Sequence, residues 1–469
     1  MLERIKKLFQ ATDMTVGEPW KQIVMFTLPM LIGNIAQQLY STVDSIVVGK
    51  YVGDNALSAV GSSAPILNLL LVLFVGISMG AGILVAQYFG AKQREELSYT
   101  VGNCITLTAI ASLIIMVLAV FVTRPMLVML KTPESILDWC HSYLLILLVG
   151  CIGSAYYNIL GGILRGLGDA FSSLIYLLVA TIINIILDLV FVAQLNMGVA
   201  GVAWATIIAQ AVSALLCYRR LTKMMEHFDM GIKYMKLNKK FSFGVIKLGV
   251  PSGLTQAIMS FAMIIVQSLT NSFGEMFIAA NVIVMRVDGF AMLPNFSFGT
   301  AMTTYAGQNV GAGKYDRVVK GAKQGTLVAV LTSTFMTGMI LIFGKQLMGI
   351  FTDTTELVEL SRNMMGIIAA GYIAMAVTQS LSGVMRGAGD TLTPMWISLF
   401  TTVVVRVPIA YTLAHLTKTP ELPNGDQKCV FISLLCSWLL GALLTAIFYL
   451  KGKWKKIAFG DATIGIIEK

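Results

Sequence analysis

Two carboxylates, Asp44 and Asp188, lie inside apolar runs long enough to cross a membrane. An ionisable side chain at mid-bilayer costs about 2.5–3.5 kcal/mol on insertion scales, so each needs a reason to be there. Gln37, Tyr40 and Asp44 are spaced three and four apart and share one helical face, and Asn184 and Asp188 are four apart and share another. Asp44 stands 22 residues into a span that starts at 22, and Asp188 stands 17 into one that starts at 171. At about 1.5 Å per residue both lie roughly 26–33 Å up their helices, so the depths match. Two polar faces at one depth describe a pocket. Neighbouring carboxylates in a low dielectric cannot both ionise cheaply, so one of the pair can carry a proton. The same oxygens, with the Asn184 amide, can instead hold Na⁺. The alternative is a polar knot that only pins helices together.

The second half of the chain carries different intramembrane charges. The positions 221 residues after Asp44 and Asp188 are Ile265 and Ile409, so the acidic pocket is not repeated. This half has Asp288 beside Arg286, and Arg406 three spans later, with Asp288 and Arg406 near mid-membrane. An ion pair between those two, or a contact with substrate, would justify them. The candidate substrate contacts are therefore Gln37, Asp44, Asp188, Asp288 and Arg406. Enzyme chemistry finds no support: the three His (His141, His227, His415) lack metal-ligand spacing, and no nucleophile has a partner. No phosphate-binding loop is present, so neither ATP nor any other cofactor is expected.

The elements that hold these side chains follow from composition. Of 469 residues, 56% are hydrophobic and 12% charged, about half the charge of a soluble domain. Apolar runs recur along the whole chain, and backbone in lipid must satisfy itself within helices. The expected fold is an all-α polytopic membrane protein with twelve spans: 22–48, 56–89, 98–122, 136–163, 171–193, 198–218, 243–272, 276–307, 318–343, 358–385, 392–413 and 429–450. The net charge of +10 is spread over short loops, notably Arg219, Arg220, Lys223, Lys233, Lys236, Lys239 and Lys240. That asymmetry puts both termini in the cytoplasm and argues against nucleic acid as a partner. Met1–Lys21 is amphipathic and lacks the apolar core of a signal peptide. The six cysteines are too scattered for a zinc site or a disulfide framework.

An internal repeat organises the spans. Gly162-Ile-Leu-Arg165-Gly-Leu-Gly168-Asp169 recurs 221 residues later as Gly383-Val-Met-Arg386-Gly-Ala-Gly389-Asp390. Gln87-Tyr-Phe-Gly90-Ala91 recurs as Gln308-Asn-Val-Gly311-Ala312, and Pro29 answers Pro251. Six spans per copy give both copies the same orientation, related by an axis along the membrane normal. The expected organisation is an N-lobe over 1–218, a basic cytoplasmic linker over 219–241 and a C-lobe over 242–469 with a basic tail. In each Arg-Gly-x-Gly-Asp turn, Arg and Asp are expected to pair or to cap the next helix.

These residues resemble the multidrug and toxic compound extrusion (MATE) family. Tyr40-Ser-Thr-Val-Asp44-Ser-Ile-Val-Val-Gly49 with Ala56-Leu-Ser-Ala-Val60 resembles its first span and loop. Val284-Met-Arg-Val-Asp288, Gly307-Gln-Asn-Val-Gly311-Ala312 and Arg386-Gly-Ala-Gly-Asp390 resemble its second-half signatures. The resemblance implies two lobes about a cavity, a monomer in the bacterial plasma membrane, and export of small organic cations in exchange for H⁺ or Na⁺. It further implies a first-lobe cation site of Gln37, Tyr40, Asp44, Asn184, Asp188 and Thr206, joined by Tyr143 and Asn158. The Na⁺-coupled branch carries added carboxylates in spans seven and ten, whereas here Glu275 falls in a loop and Glu359 at a span entrance. That departure shifts weight to the first-lobe site and toward H⁺, with the ion open. A lipid-linked saccharide flippase of the same superfamily is the alternative. Its anionic headgroup would call for cationic spans, and only Arg286 and Arg406 qualify.

Overall fold

The computed structural model describes residues 12–129 and 132–460. The outer parts of the amphipathic N-terminus and of the basic C-terminal tail lie outside those residues. The first half contains α1 (Pro19–Tyr51), α2 (Asp54–Gly90), α3 (Arg94–Met129), α4 (Glu134–Val149), α5 (Cys151–Gly166), α6 (Ala170–Asp188) and α7 (Gly198–Thr222). A short α8 (Ile232–Met235) lies in the linker. The second half contains α9 (Lys239–Asn271), α10 (Glu275–Gly311), α11 (Tyr315–Gly349), α12 (Thr355–Ala369), α13 (Gly371–Gly387), α14 (Leu392–Leu399), α15 (Arg406–Leu416), α16 (Cys429–Lys451) and the surface helix α17 (Lys453–Phe459).

Nine helices among the described residues are long and apolar enough to cross a membrane, and two bent pairs raise the number to eleven. The remaining pass is α2, so the chain makes twelve. These passes coincide with the twelve expected spans to within about two turns. Large apolar side chains such as Phe121, Phe335 and Ile342 stand exposed on the helix surfaces. Asn103, Asn184, Asn295 and Asn309 are buried. That inside-out distribution suits a hydrocarbon solvent. The bent pairs break at Gly150 (50°) and between Ala369 and Gly371 (44°). A methyl group on Gly150 would fall 2.1 Å from Ile207 Cδ1, so the first bend needs a glycine.

Both Arg-Gly-x-Gly-Asp turns are helix caps. Gly168 and Gly389 take positive φ (86° and 97°), the conformation glycine adopts without steric cost. The following Asp then accepts from the residue three positions on: Ser172 N and Oγ donate to Asp169 at 2.9 and 2.8 Å. Thr393 N and Oγ1 donate to Asp390 at 3.1 and 2.8 Å. Asp169 also takes Arg220 Nε at 2.7 Å, an ion pair with its acid fully buried. The acid thus pairs with a residue outside the motif rather than with the motif's own Arg165.

The chain divides into two compact units whose boundaries fall inside helices. Among the described residues, unit 1 is Thr12 and Asp13 with Pro29–Gly253, and unit 2 is Met14–Leu28 with 254–460. The breaks in α1 and α9 therefore stand at Pro29 and just after Pro251. Within unit 1, the linker is bound to α3. Asn103 donates to Tyr234 O and Lys236 O, both at 3.3 Å, and accepts from Asn238 N and Ser242 Oγ, both at 2.7 Å. Arg94 donates to Met225 O, Glu226 O and the Asp229 carboxylate. That hydrogen bond holds the Asp229 carboxyl below its ordinary range, so it stays ionised at physiological pH. Within unit 2, Met14–Leu28 is held in a comparable way. Met14 N donates to Gln308 Oε1 at 2.8 Å, and Arg317 donates to Gly17 O at 2.9 Å and to Met14 O and Val16 O, both at 3.2 Å.

Candidate functional site: an acidic cluster in unit 1

The site is built where α1, α6 and α7 approach within unit 1. The faces read from spacing supply Tyr40 and Asp44 from α1 and Asn184 and Asp188 from α6. Asn184 and Asp188 are fully buried, and Asp44 is half-buried. Asn184 bridges the acids. With its amide oxygen accepting from Thr206 N at 3.3 Å, its nitrogen donates to Asp44 Oδ1 at 2.8 Å and to Asp188 Oδ2 at 3.1 Å. Asp188 Oδ1 is buried with no hydrogen-bond partner.

Thr206 closes the cluster from α7. Its hydroxyl accepts from Tyr40 Oη at 3.2 Å and donates to Val202 O at 3.0 Å. Tyr143 of α4 is buried among Val47, Val48, Val192, Val199 and Val202. This apolar wall keeps the local dielectric low on one side. A π-helical turn, Leu189–Gln194, begins directly after Asp188. Such turns loosen the i→i+4 ladder and recur at functional positions. Chemically, the cluster offers two acids sharing one amide donor, with one buried oxygen unsatisfied. A proton or a small cation would satisfy it.

One expected member, Asn158, is bonded elsewhere. Asn158 donates to Ser154 O at 2.8 Å, and its carbonyl accepts from Ser78 Oγ at 2.6 Å. It thus ties α5 to α2, away from the acids. Gln37, on the α1 face, is exposed. In unit 2 the ion pair considered between Asp288 and Arg406 does not form. Asp288 instead accepts from Tyr372 Oη at 2.9 Å, which also approaches Met365 Sδ at 3.3 Å. Tyr372 gave no signal in the sequence, because it lies just past the bend between α12 and α13 and no spacing ties it to Asp288.

The repeat seen in the sequence has a counterpart among known families. A family model described as MatE matches the chain twice, over residues 29–190 and 251–412. The chain belongs to the MatE family. The two matches begin at Pro29 and Pro251, the prolines beside the unit boundaries. Similar relatives include "Probable multidrug resistance protein YoeA" of Bacillus subtilis, 29% identical and covering 93% of this chain and 94% of that protein. "Probable multidrug resistance protein NorM" of Thermotoga maritima is 25% identical over 94% of this chain and 95% of its own length. Among solved structures, an outward-facing multidrug resistance MATE transporter of the MOP superfamily superimposes with a TM-score of 0.88 at 22% identity, covering 96% of this chain and 98% of that one. A MATE crystal structure in complex with MaL6 gives the same score and identity over 96% and 99%. At that identity the match speaks for the MatE fold: twelve helical passes in two similar halves.

Proposed function

We propose that this MatE-family protein is a secondary active antiporter that exports small organic cations, exchanging them for H⁺ or Na⁺ at Asp44 and Asp188. The observation that carries this reading is the Asn184 bridge, which holds two acids together and leaves Asp188 Oδ1 buried and unsatisfied. An occupied site, by a proton or a cation, and an empty one then differ strongly in energy, because an unpaired buried carboxylate is costly. A cationic substrate competes for the same negative charge, so occupancy by one disfavours the other. The names of the bacterial relatives support multidrug compounds as the substrate class. Asp44, Asp188, Asn184, Tyr40 and Thr206 carry the coupling, with Tyr143 as the apolar wall. The basic loops support cytoplasmic termini, and the bacterial relatives support the inner membrane.

The test is ethidium export from everted or reconstituted vesicles under a pH gradient or a Na⁺ gradient imposed separately. Wild-type export under one gradient, lost in Asp44→Asn and in Asp188→Asn with insertion intact, is the expected result and names the ion. Both variants exporting at the wild-type rate would make the cluster structural.

A further inference from the structure

We propose that unit 2 holds a binding site for a halide-sized monovalent anion, formed by Arg406, Asn281 and Gln267. Arg406 opens α15 directly after the π-helical turn Phe400–Val405, and it is only 8% exposed. Its Nε is buried with no hydrogen-bond partner. None of the ion pairs among the described residues includes it. The nearby acid, Asp288, is engaged by Tyr372. A guanidinium left without an acceptor at this depth is a strong demand for a counter-charge.

Arg406 lines a pocket of about 30 Å³, open on the side of the exposed Gln267, together with Asn281, Thr270, Met285 and Phe431. That volume holds one halide-sized ion or one or two waters. Asn281 is also only 8% exposed, and no hydrogen bond to its amide is found among the described residues. Gln267 Nε2 donates to Asn271 Oδ1 at 2.8 Å, which leaves its second N–H available. Thr270 gives its hydroxyl hydrogen to Val266 O and offers no donor. The uncommitted groups around the cavity include N–H donors of Arg406, Asn281 and Gln267 beside the amide oxygens of the last two, and it is the fixed positive charge of Arg406 that favours an anion over a metal cation.

The nearest acid does not take the place of an anion. Asn281, Met285 and Asp288 are spaced four and three apart on one face of α10, so the acid lies along that face and partly offsets Arg406. Asp288 is held by Tyr372 and forms no ion pair with Arg406, so the guanidinium lacks a direct acceptor that a bound anion would supply. The acidic cluster of unit 1 has the opposite polarity.

The experiment is thermal unfolding of the purified full-length protein in chloride, bromide, acetate and gluconate at matched ionic strength. A ligand that binds only the folded state raises the unfolding temperature with concentration. Chloride and bromide should raise it relative to gluconate, and Arg406→Gln and Asn281→Leu should lose that rise. Asn281→Leu keeps the charge and fills the cavity, so it reads the site even if Arg406→Gln fails to fold. Crystals grown in bromide should show an anomalous peak beside Arg406. Equal unfolding temperatures in chloride and gluconate, or a full halide response in Asn281→Leu, would overturn the proposal. A rise with acetate but not chloride would overturn the halide assignment in favour of a carboxylate-bearing ligand.

Discussion

Asn184 does what neither acid can do alone: it gives both carboxylates a common donor while its own oxygen is anchored to the α7 backbone. Removing it should therefore resemble removing an acid. Asn184→Ala is expected to reduce gradient-driven ethidium export about as severely as Asp44→Asn, with normal yield of inserted protein. A wild-type rate in that variant would take Asn184 out of the coupling step. Tyr40→Phe is the contrast. It removes one neutral hydrogen bond to Thr206, worth about 0.5–1.5 kcal/mol, and should slow export only several-fold. Helical period made the Tyr40–Asp44 and Asn184–Asp188 faces legible in the sequence, because residues three or four apart must share a face. Thr206 had no such signal and entered only through family resemblance. Asp288 and Arg406 matched in depth, but depth leaves rotation about the helix axis undetermined. Asp288 turns toward Tyr372, and the two charges do not pair.

At the scale of elements, the two copies of one motif differ in what they hold. Asp169 and Asp390 both cap a helix, yet only Asp169 also holds a cation, Arg220. The position 221 after Arg220 is Gly441, so the second copy cannot repeat that pair. Losing a cap costs about 1 kcal/mol, whereas breaking a buried ion pair costs about 3–5 kcal/mol. Asp169→Ala should therefore lower the unfolding temperature of the purified protein clearly more than Asp390→Ala. Equal losses would mean that Arg220 finds another acceptor. Glycine spacing sets a second constraint, where α2 crosses the first part of α9. A methyl group on Gly80 would fall 2.2 Å from Val245 O, and one on Gly249 would fall 2.5 Å from Gly76 O. Gly249→Val should thus abolish folded protein, while Gly338→Ala, with nothing within 4 Å, should be neutral by size-exclusion yield. The sequence could show that glycines are abundant, but not which of them lie at a crossing.

For the whole molecule, the twelve spans and the repeat were legible because apolar run length and motif recurrence are properties of the chain itself. The division into units was not. Reading the linker as the border places 1–218 in one lobe and 242–469 in the other, yet the compact units break within α1 and α9. Met14–Leu28 is counted with unit 2, and the stretch of α9 through Gly253 with unit 1. The reason lies in side chains that no periodicity reveals. Asn103 and Arg94 bind the segment ahead of α9, and Gln308 and Arg317 bind the segment ahead of α1. Each unit thus borrows an arm from the opposite half of the sequence. The consequence is testable by dividing the gene in the linker. A fragment ending near Thr222 lacks the arm that covers Gly76 and Gly80 of α2, and it keeps an arm whose partners are gone. The fragment beginning near Gly231 has the reciprocal defect. Each expressed alone should be degraded, and the two expressed together should copurify and restore ethidium export. If either half accumulates alone as a monodisperse, helical protein, the exchanged arms contribute little to stability, and the border read from the linker is the correct one.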